Sequence, residues 1–212
     1  MEYLDIYDEN QNHIGKELRE VVHAKGLWHN TVHCWLYDME GNIYFQIRKE
    51  EQTFYTTASG HVAAGESIKE AFGREIYEEI GLKINYKQAE LVEVVIWKMD
   101  KEKTDGSIFK DRAFANVNVC EFNGNIEDFK FDINEVLGVV KVNAKEVLNL
   151  FKKENGQIPA TIITNKNNSN IETKRMVDFN EFLVNKHETA LEKYGEVLNK
   201  IIEIINNKDV KE

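Results

Sequence analysis

Aromatic and β-branched residues concentrate in two adjacent runs, 31–37 (TVHCWLY) and 43–48 (IYFQIR), separated by DMEGN, which has the composition of a hairpin turn. Two neighbouring strands are predicted there. A short extended stretch over 53–58 leads into Ser59-Gly60 and then to a helical pattern. Residues 91–99 (LVEVVIWKM) and 112–122 (RAFANVNVCEF) read as two more strands, the second with Ala113, Ala115, Val117 and Val119 alternating against more polar neighbours. The charged DKEKTDGS between them reads as a loop. Residues 136–142 give a further strand, and Asn143 with Glu146 three positions on marks the start of a short helix running to about Phe151.

Beyond that point the pattern changes. NGQIP and NKNNSN have loop composition, and Pro159 is the only proline of the chain. A domain boundary is placed here, with a catalytic domain over 1–157 that includes an N-terminal strand and loop segment, and a helical extension over 158–212. From about Asp178 to Asn206, Phe182, Leu183, Leu191, Val197, Leu198, Ile201, Ile204 and Ile205 recur at helical spacing. One or two amphipathic helices follow, packed on the core or on a partner subunit, the latter making a homodimer.

Composition narrows the chemistry. With 212 residues, 42% hydrophobic and 30% charged, the chain fits a globular core domain plus an appendage. Its net charge of −10, with no basic run, opposes a nucleic-acid polymer as partner. An acidic enzyme acting on an anionic substrate needs a cation between the two. Cys34 and Cys120 lie in apolar segments without CxxC spacing, which fits a reducing cytoplasm, and neither a signal peptide nor a membrane span is indicated.

Ser67-Ile68-Lys69-Glu70 has the form of a capping box, and Gly81 suits the left-handed position past a helix end, so a helix is predicted over 68–80. At about 100° per residue, Ile68, Phe72, Ile76 and Ile80 form a buried stripe, with Glu75, Glu78 and Glu79 beside it. Glu79 falls at the edge of the apolar face. Like charges at these spacings each destabilise a helix by roughly a few tenths of a kcal/mol. Glu78 and Glu79 also stand in the last turn, where the helix dipole disfavours negative charge. A divalent cation reverses both effects, and Arg74 is placed to pair with Glu78 and fix it.

The residues from Gly60 to Leu82, GHVAAGESIKEAFGREIYEEIGL, match the spacing glycine, five residues, glutamate, seven residues, then R-E-apolar-x-E-E-x-G-apolar. In this they resemble the box of the Nudix hydrolase superfamily. The resemblance implies an α/β fold, an α/β/α sandwich with a mixed sheet, and attack of water on a small organic or nucleoside diphosphate. It implies Mg2+ or Mn2+ held by Glu75, Glu78, Glu79 and the Ser59 carbonyl. Arg74 and Glu66 match the supporting ion pair, and Gly60, Gly65 and Gly81 the backbone turns. A free carboxylate serves as general base. Glu79 or a glutamate outside the box fills that role in the family, with Glu121, Asp111 and Glu93 as outside candidates here.

A second resemblance covers about 19–122. Arg19-x-x-x-His23, GLWHNTVHCWLYD, QIRKE and SGH look like the isopentenyl-diphosphate-isomerase branch of the same superfamily. It implies a separate metal site from His23, His29 and His61 with Asp111, suited to Mn2+, Mg2+ or Zn2+. The isomerases carry a catalytic cysteine where this chain has Ser59, a hydroxyl with a far higher pKa than a thiol. Hydrolysis is therefore preferred to isomerisation, and a non-catalytic ligand-sensing module is the third alternative. Arg48, Lys49 and Arg112 are candidate phosphate contacts. Trp28, Trp35, Tyr55 and Trp97 are read first as core residues.

Overall fold

The computed structural model describes residues 1–153, 156–167, 169–186 and 188–209. An N-terminal hairpin, β1 (Tyr3–Tyr7) and β2 (His13–Leu18), forms its own two-stranded sheet and is followed by the short helix α1 (Arg19–Lys25). The main sheet contains β3 (His29–Tyr37), β4 (Asn42–Arg48), β5 (Phe54–Tyr55), β6 (Ala58–His61), β7 (Ala89–Glu102), β8 (Ile108–Glu121), β9 (Val136–Asn143), β10 (Gln157–Lys166) and β11 (Ser169–Asp178). The strand order is β11-β10-β9-β4-β3-β8-β7, with β5 beside β4 and β6 beside β3. The sheet is mixed, because β3 and β8 run parallel while the other pairs are antiparallel.

Alternating side chains send two apolar sets to opposite faces. Val32, Cys34 and Leu36 pack with Phe72, Ile76 and Ile80 of helix α2 (Ile68–Ile80). Trp35, Tyr37 and Phe45 pack on the other face with helices α3 (Ala144–Lys153) and α4 (Glu188–Asp209). The result is the expected α/β/α sandwich. No helix among the described residues is long and apolar enough to cross a membrane.

The boundary at 157/158 does not appear. Residues 157–178 form a hairpin whose first strand pairs with β9 from Ala160 to Thr164 and widens the sheet. Within NGQIP and NKNNSN, residues 157–159 and 165–166 belong to β10 and residues 169–170 to β11, with Asn167 at φ 53 in the turn. Asn155 and Asn168 lie outside the described residues. Pro159 faces Met176 on β11 and precedes the stretch joined to β9, so its missing N–H costs no bond to β9. Among the described residues, 158–209 therefore comprise a hairpin, short 3-10 turns and one long helix. Val197, Leu198 and Ile201 of that helix are at most 2% exposed against the chain's own sheet. Of the two expected partners for these apolar positions, the core or a second subunit, the core takes Val197, Leu198 and Ile201.

The charged 100–107 segment also departs from expectation. Pairing in the β7–β8 hairpin continues to Glu102↔Ile108, leaving only residues 103–107 as its tip.

Between β3 and β4 the sheet forks. These strands pair only at Leu36↔Tyr44 and Tyr37↔Ile43. Toward the fork's open end β3 takes β6 as neighbour and β4 takes β5. Thr57, fully buried at the crotch, accepts from the Leu36 amide at 2.8 Å and donates to the Tyr44 carbonyl. One hydroxyl thereby satisfies two backbone groups at the split.

Candidate active site

Helix α2 lies across this fork. Its start is the predicted capping box: Ser67 Oγ accepts from the Glu70 amide, and the Glu70 carboxylate accepts from the Ser67 amide. At its end Gly81 has φ 75, a conformation that favours glycine. From the helix, Glu79 reaches both arms of the fork. Its Oε2 accepts from the Ser59 amide of β6 at 2.8 Å and from Gln46 Nε2 of β4 at 3.3 Å. Glu75 lies directly over Gly60, where any β-carbon would collide with its carboxyl group. A larger residue there would have to displace that carboxyl group.

Arg74 ties these parts together. Its Nε and Nη2 donate to the two oxygens of Glu66, both at 2.8 Å. Nη1 donates to Glu75 at 2.8 Å and Glu78 at 3.1 Å, and Nη2 also reaches the His61 carbonyl at 2.9 Å. A planar guanidinium thus sets the loop, the strand and the carboxylates in one frame. Burial pushes the Glu79 carboxyl up to about 8, with the negative charges of Glu75 and Glu135 adding and the Ser59 amide and Arg48 opposing. Glu75 is pushed up to about 7, again first by burial, with Arg74 opposing and Glu78 and Glu135 adding. Glu66, Glu75, Glu78, Glu79 and Glu135 are five carboxylates against the two guanidiniums of Arg74 and Arg48. This surplus of oxygen donors fits a hard divalent cation such as Mg2+ or Mn2+.

A second cluster begins two residues along β6. One ring nitrogen from each of His23, His29 and His61 lies within 4.8 Å of the others. His29 Nδ1 lies 3.1 Å from the Leu27 carbonyl and His23 Nδ1 lies 3.3 Å from the Lys110 carbonyl. A carbonyl only accepts, so both rings carry their proton on Nδ1 and present a bare Nε2 inward. His29 Nε2 and Asp111 Oδ1 face each other at 3.5 Å, buried and without a hydrogen bond among the described residues. Burial first, then the neighbouring His29, lowers His23 to about 4, and burial likewise lowers His29 and His61 below the ordinary imidazole value. Asp111 is pushed up to about 6 by burial, against the pull of Arg112 and Arg19. Three neutral imidazoles and a carboxylate are a donor set for Mn2+ or Zn2+.

Residues 27–191 match the model of the NUDIX domain family. The chain belongs to the Nudix hydrolase family. A Nudix hydrolase of Clostridium acetobutylicum is 32% identical over 195 residues, covering 88% of this chain and 92% of that protein. Isopentenyl-diphosphate Delta-isomerase 2 of Photorhabdus laumondii is 31% identical over 87 residues, 38% of this chain and 48% of that one. A crystal structure from Deinococcus radiodurans has the same fold, with a TM-score of 0.52, 19% identity and coverage of 72% of this chain and 89% of its own. The protein is thus a Nudix pyrophosphohydrolase with isomerase-like relatives, in a family that acts on small-molecule diphosphates. Enzymes of this family generally use divalent metal ions.

Not every residue selected from the sequence of this Nudix enzyme reaches the site. Glu121 pairs beside Tyr37, four positions along β3 from the His33–Ser59 rung, about 13 Å away along the strand. It is removed from the candidate bases. Glu93 turns to the α4 face and meets Lys193 at 3.3 Å. The Arg112 guanidinium is engaged by Asp100 at 2.6 Å and the Met99 carbonyl at 3.0 Å, and Lys49 is exposed. Arg48 stays at the fork, bonded to Glu51 at 3.0 Å and stacked over Tyr55. Trp35 is core, and Trp28 stacks on Phe114.

Two residues that sequence reasoning passed over bear on the site, Gln46 by a hydrogen bond and Glu135 through its charge on Glu75 and Glu79. Gln46 reads as an ordinary strand residue, and only the fork turns its amide onto Glu79. Glu135 precedes β9, on a loop held across the end of α2 by the Lys130 and Asp132 amides, which donate to the Ile80 and Glu79 carbonyls. No motif spacing connects it to the box.

Proposed function

We propose that this Nudix enzyme hydrolyses its diphosphate substrate with Mg2+ or Mn2+ held by Glu75, Glu78, Glu79 and the Ser59 carbonyl. The observation that carries this reading is the crowding of half-buried Glu75 against Gly60 and buried Glu79 against Ser59, with too few cations to neutralise them. A bound divalent ion supplies charge neutralisation for diphosphate oxygens and makes a bound water more acidic. Arg74 orients Glu75 and Glu78. Arg48, at the open end of the fork, is the residue suited to hold a phosphate. Glu135 or Glu79 takes the proton from the attacking water. Glu135 replaces Glu121 in that role because its charge bears on both Glu75 and Glu79.

We assign the His23, His29, His61 and Asp111 cluster to a second metal ion, on the strength of three ring nitrogens within 4.8 Å of one another and the unpartnered His29 Nε2 and Asp111 Oδ1. Elemental analysis tests it. Two metals per chain are expected, falling to one in His23→Ala, whereas one metal in both proteins counts against the assignment. The principal reading is tested by a substrate screen over nucleoside diphosphates, nucleotide sugars, dinucleoside polyphosphates and prenyl diphosphates, run with each metal. Turnover yielding monophosphate products is expected, and a uniformly negative screen argues against it.

A further inference from the structure

The N-terminal hairpin precedes the family-matched residues 27–191, yet it is attached to the loop that carries the Nudix box. Leu4, fully buried, bridges to Ala63, and the Ala64 amide donates to the Tyr3 carbonyl at 2.8 Å. The Asp5 side chain then accepts from the Gly65 amide at 2.8 Å. Gly65 has φ 80, so this bond fixes the turn at its left-handed residue. Immediately after it, Glu66 accepts from the Ala63 amide at 2.9 Å and takes both prongs of Arg74. Arg74 in turn sets Glu75 and Glu78.

We propose that Asp5 is a positioning residue for the carboxylate cluster, acting through Gly65, Glu66 and Arg74. The path is continuous, and each link is a hydrogen bond of 3.1 Å or less or a single peptide step. An acceptor is what position 5 must supply, and its negative charge is secondary. His13 Nε2, 3.2 Å from the other Asp5 oxygen, steadies the carboxylate from the solvent side. An asparagine retains an acceptor for Gly65, whereas alanine does not.

This inference rests on the metal reading above, so its test uses two measurements that need no turnover. The first is hydrogen exchange of the Gly65 amide in metal-free protein, and the second is Mn2+ affinity at the site that Glu78→Gln abolishes. Asp5→Ala is expected to speed Gly65 exchange and weaken that Mn2+ site by roughly tenfold, the lower end of the usual loss for a supporting partner. Asp5→Asn is expected to preserve both. Should Asp5→Ala fail to fold by circular dichroism, Asp5→Val, a strand-compatible residue without any side-chain acceptor, replaces it. Unprotected Gly65 in the wild type, or an alanine variant binding Mn2+ as the wild type does, overturns the proposal. A wild type without any Glu78-dependent Mn2+ site overturns the metal reading itself, and the positioning role with it.

Discussion

The Glu75 carboxyl group fills the space in which a β-carbon on residue 60 would stand. Glycine at 60 and glutamate at 75 are therefore one structural unit, joined by contact across the loop and helix. A methyl group at 60 must displace the carboxylate, and a displacement of about 1 Å can cost on the order of 100-fold in rate. Gly60→Ala is expected to lower kcat/KM by roughly that factor while leaving far-ultraviolet circular dichroism unchanged. Steady-state kinetics on the two proteins decides it.

Glu135 stands on a loop held by the backbone of α2 rather than in the box, and its charge bears on Glu75 and Glu79. If it takes the proton of the attacking water, Glu135→Gln lowers kcat by about 100- to 10,000-fold with little change in KM. An equal loss in Glu79→Gln and none in Glu135→Gln would instead assign the base to Glu79.

Thr57 stands at the crotch of the fork with its hydroxyl between the Leu36 amide and the Tyr44 carbonyl. Thr57→Val keeps the shape and leaves both buried groups without that partner. A loss of about 1–3 kcal/mol for each unsatisfied group is expected, read by urea denaturation. Because the fork sets Gln46 and Ser59 around Glu79, activity should fall as well.

Asp38 supplies a pH signature away from the catalytic groups. Burial pushes its carboxyl up, but Lys141 at 2.9 Å, the Asn42 amides and the Tyr44 hydroxyl outweigh it, and the net shift is below the ordinary 3.8. A depressed folded pKa contributes stability that is present above the unfolded value and lost as pH falls through the folded one. Asp38→Asn is thus expected to have a lower Tm than the wild type at pH 7, with the gap narrowing below pH 3.8. Thermal melts across that range check the sign.

Much of α2 was legible in the sequence because its information is local. The capping box, the apolar stripe and Gly81 lie within one helical stretch, and the structure has all three. The three histidines were legible through the isomerase-like layout, and the fold brings them together. Residues whose placement depends on strand pairing were not. Glu121 and Asp111 share β8, and only its register with β3 places Asp111 beside His29 and Glu121 at the opposite end. NGQIP and NKNNSN read as loops, with the domain boundary at 157/158, because hairpin turns and linkers draw on the same residues. Ile158 and Ala160, apolar at alternate positions within and just after NGQIP, are the sequence signal for the strand, and both are buried.

The central claim is metal-dependent hydrolysis at the α2 carboxylates, and Glu78→Gln tests it most directly because Glu78 is the exposed member of the set, with a side chain 57% accessible. Its substitution is therefore the one least coupled to folding. The measurement is monophosphate release from the best substrate of the screen, with Mn2+ titrated into wild type and variant. The wild type should show no turnover without metal and saturable activation with it, and Glu78→Gln should lose at least about 100-fold at every concentration. Metal-independent turnover by the wild type, or full activity in the variant, would contradict the account.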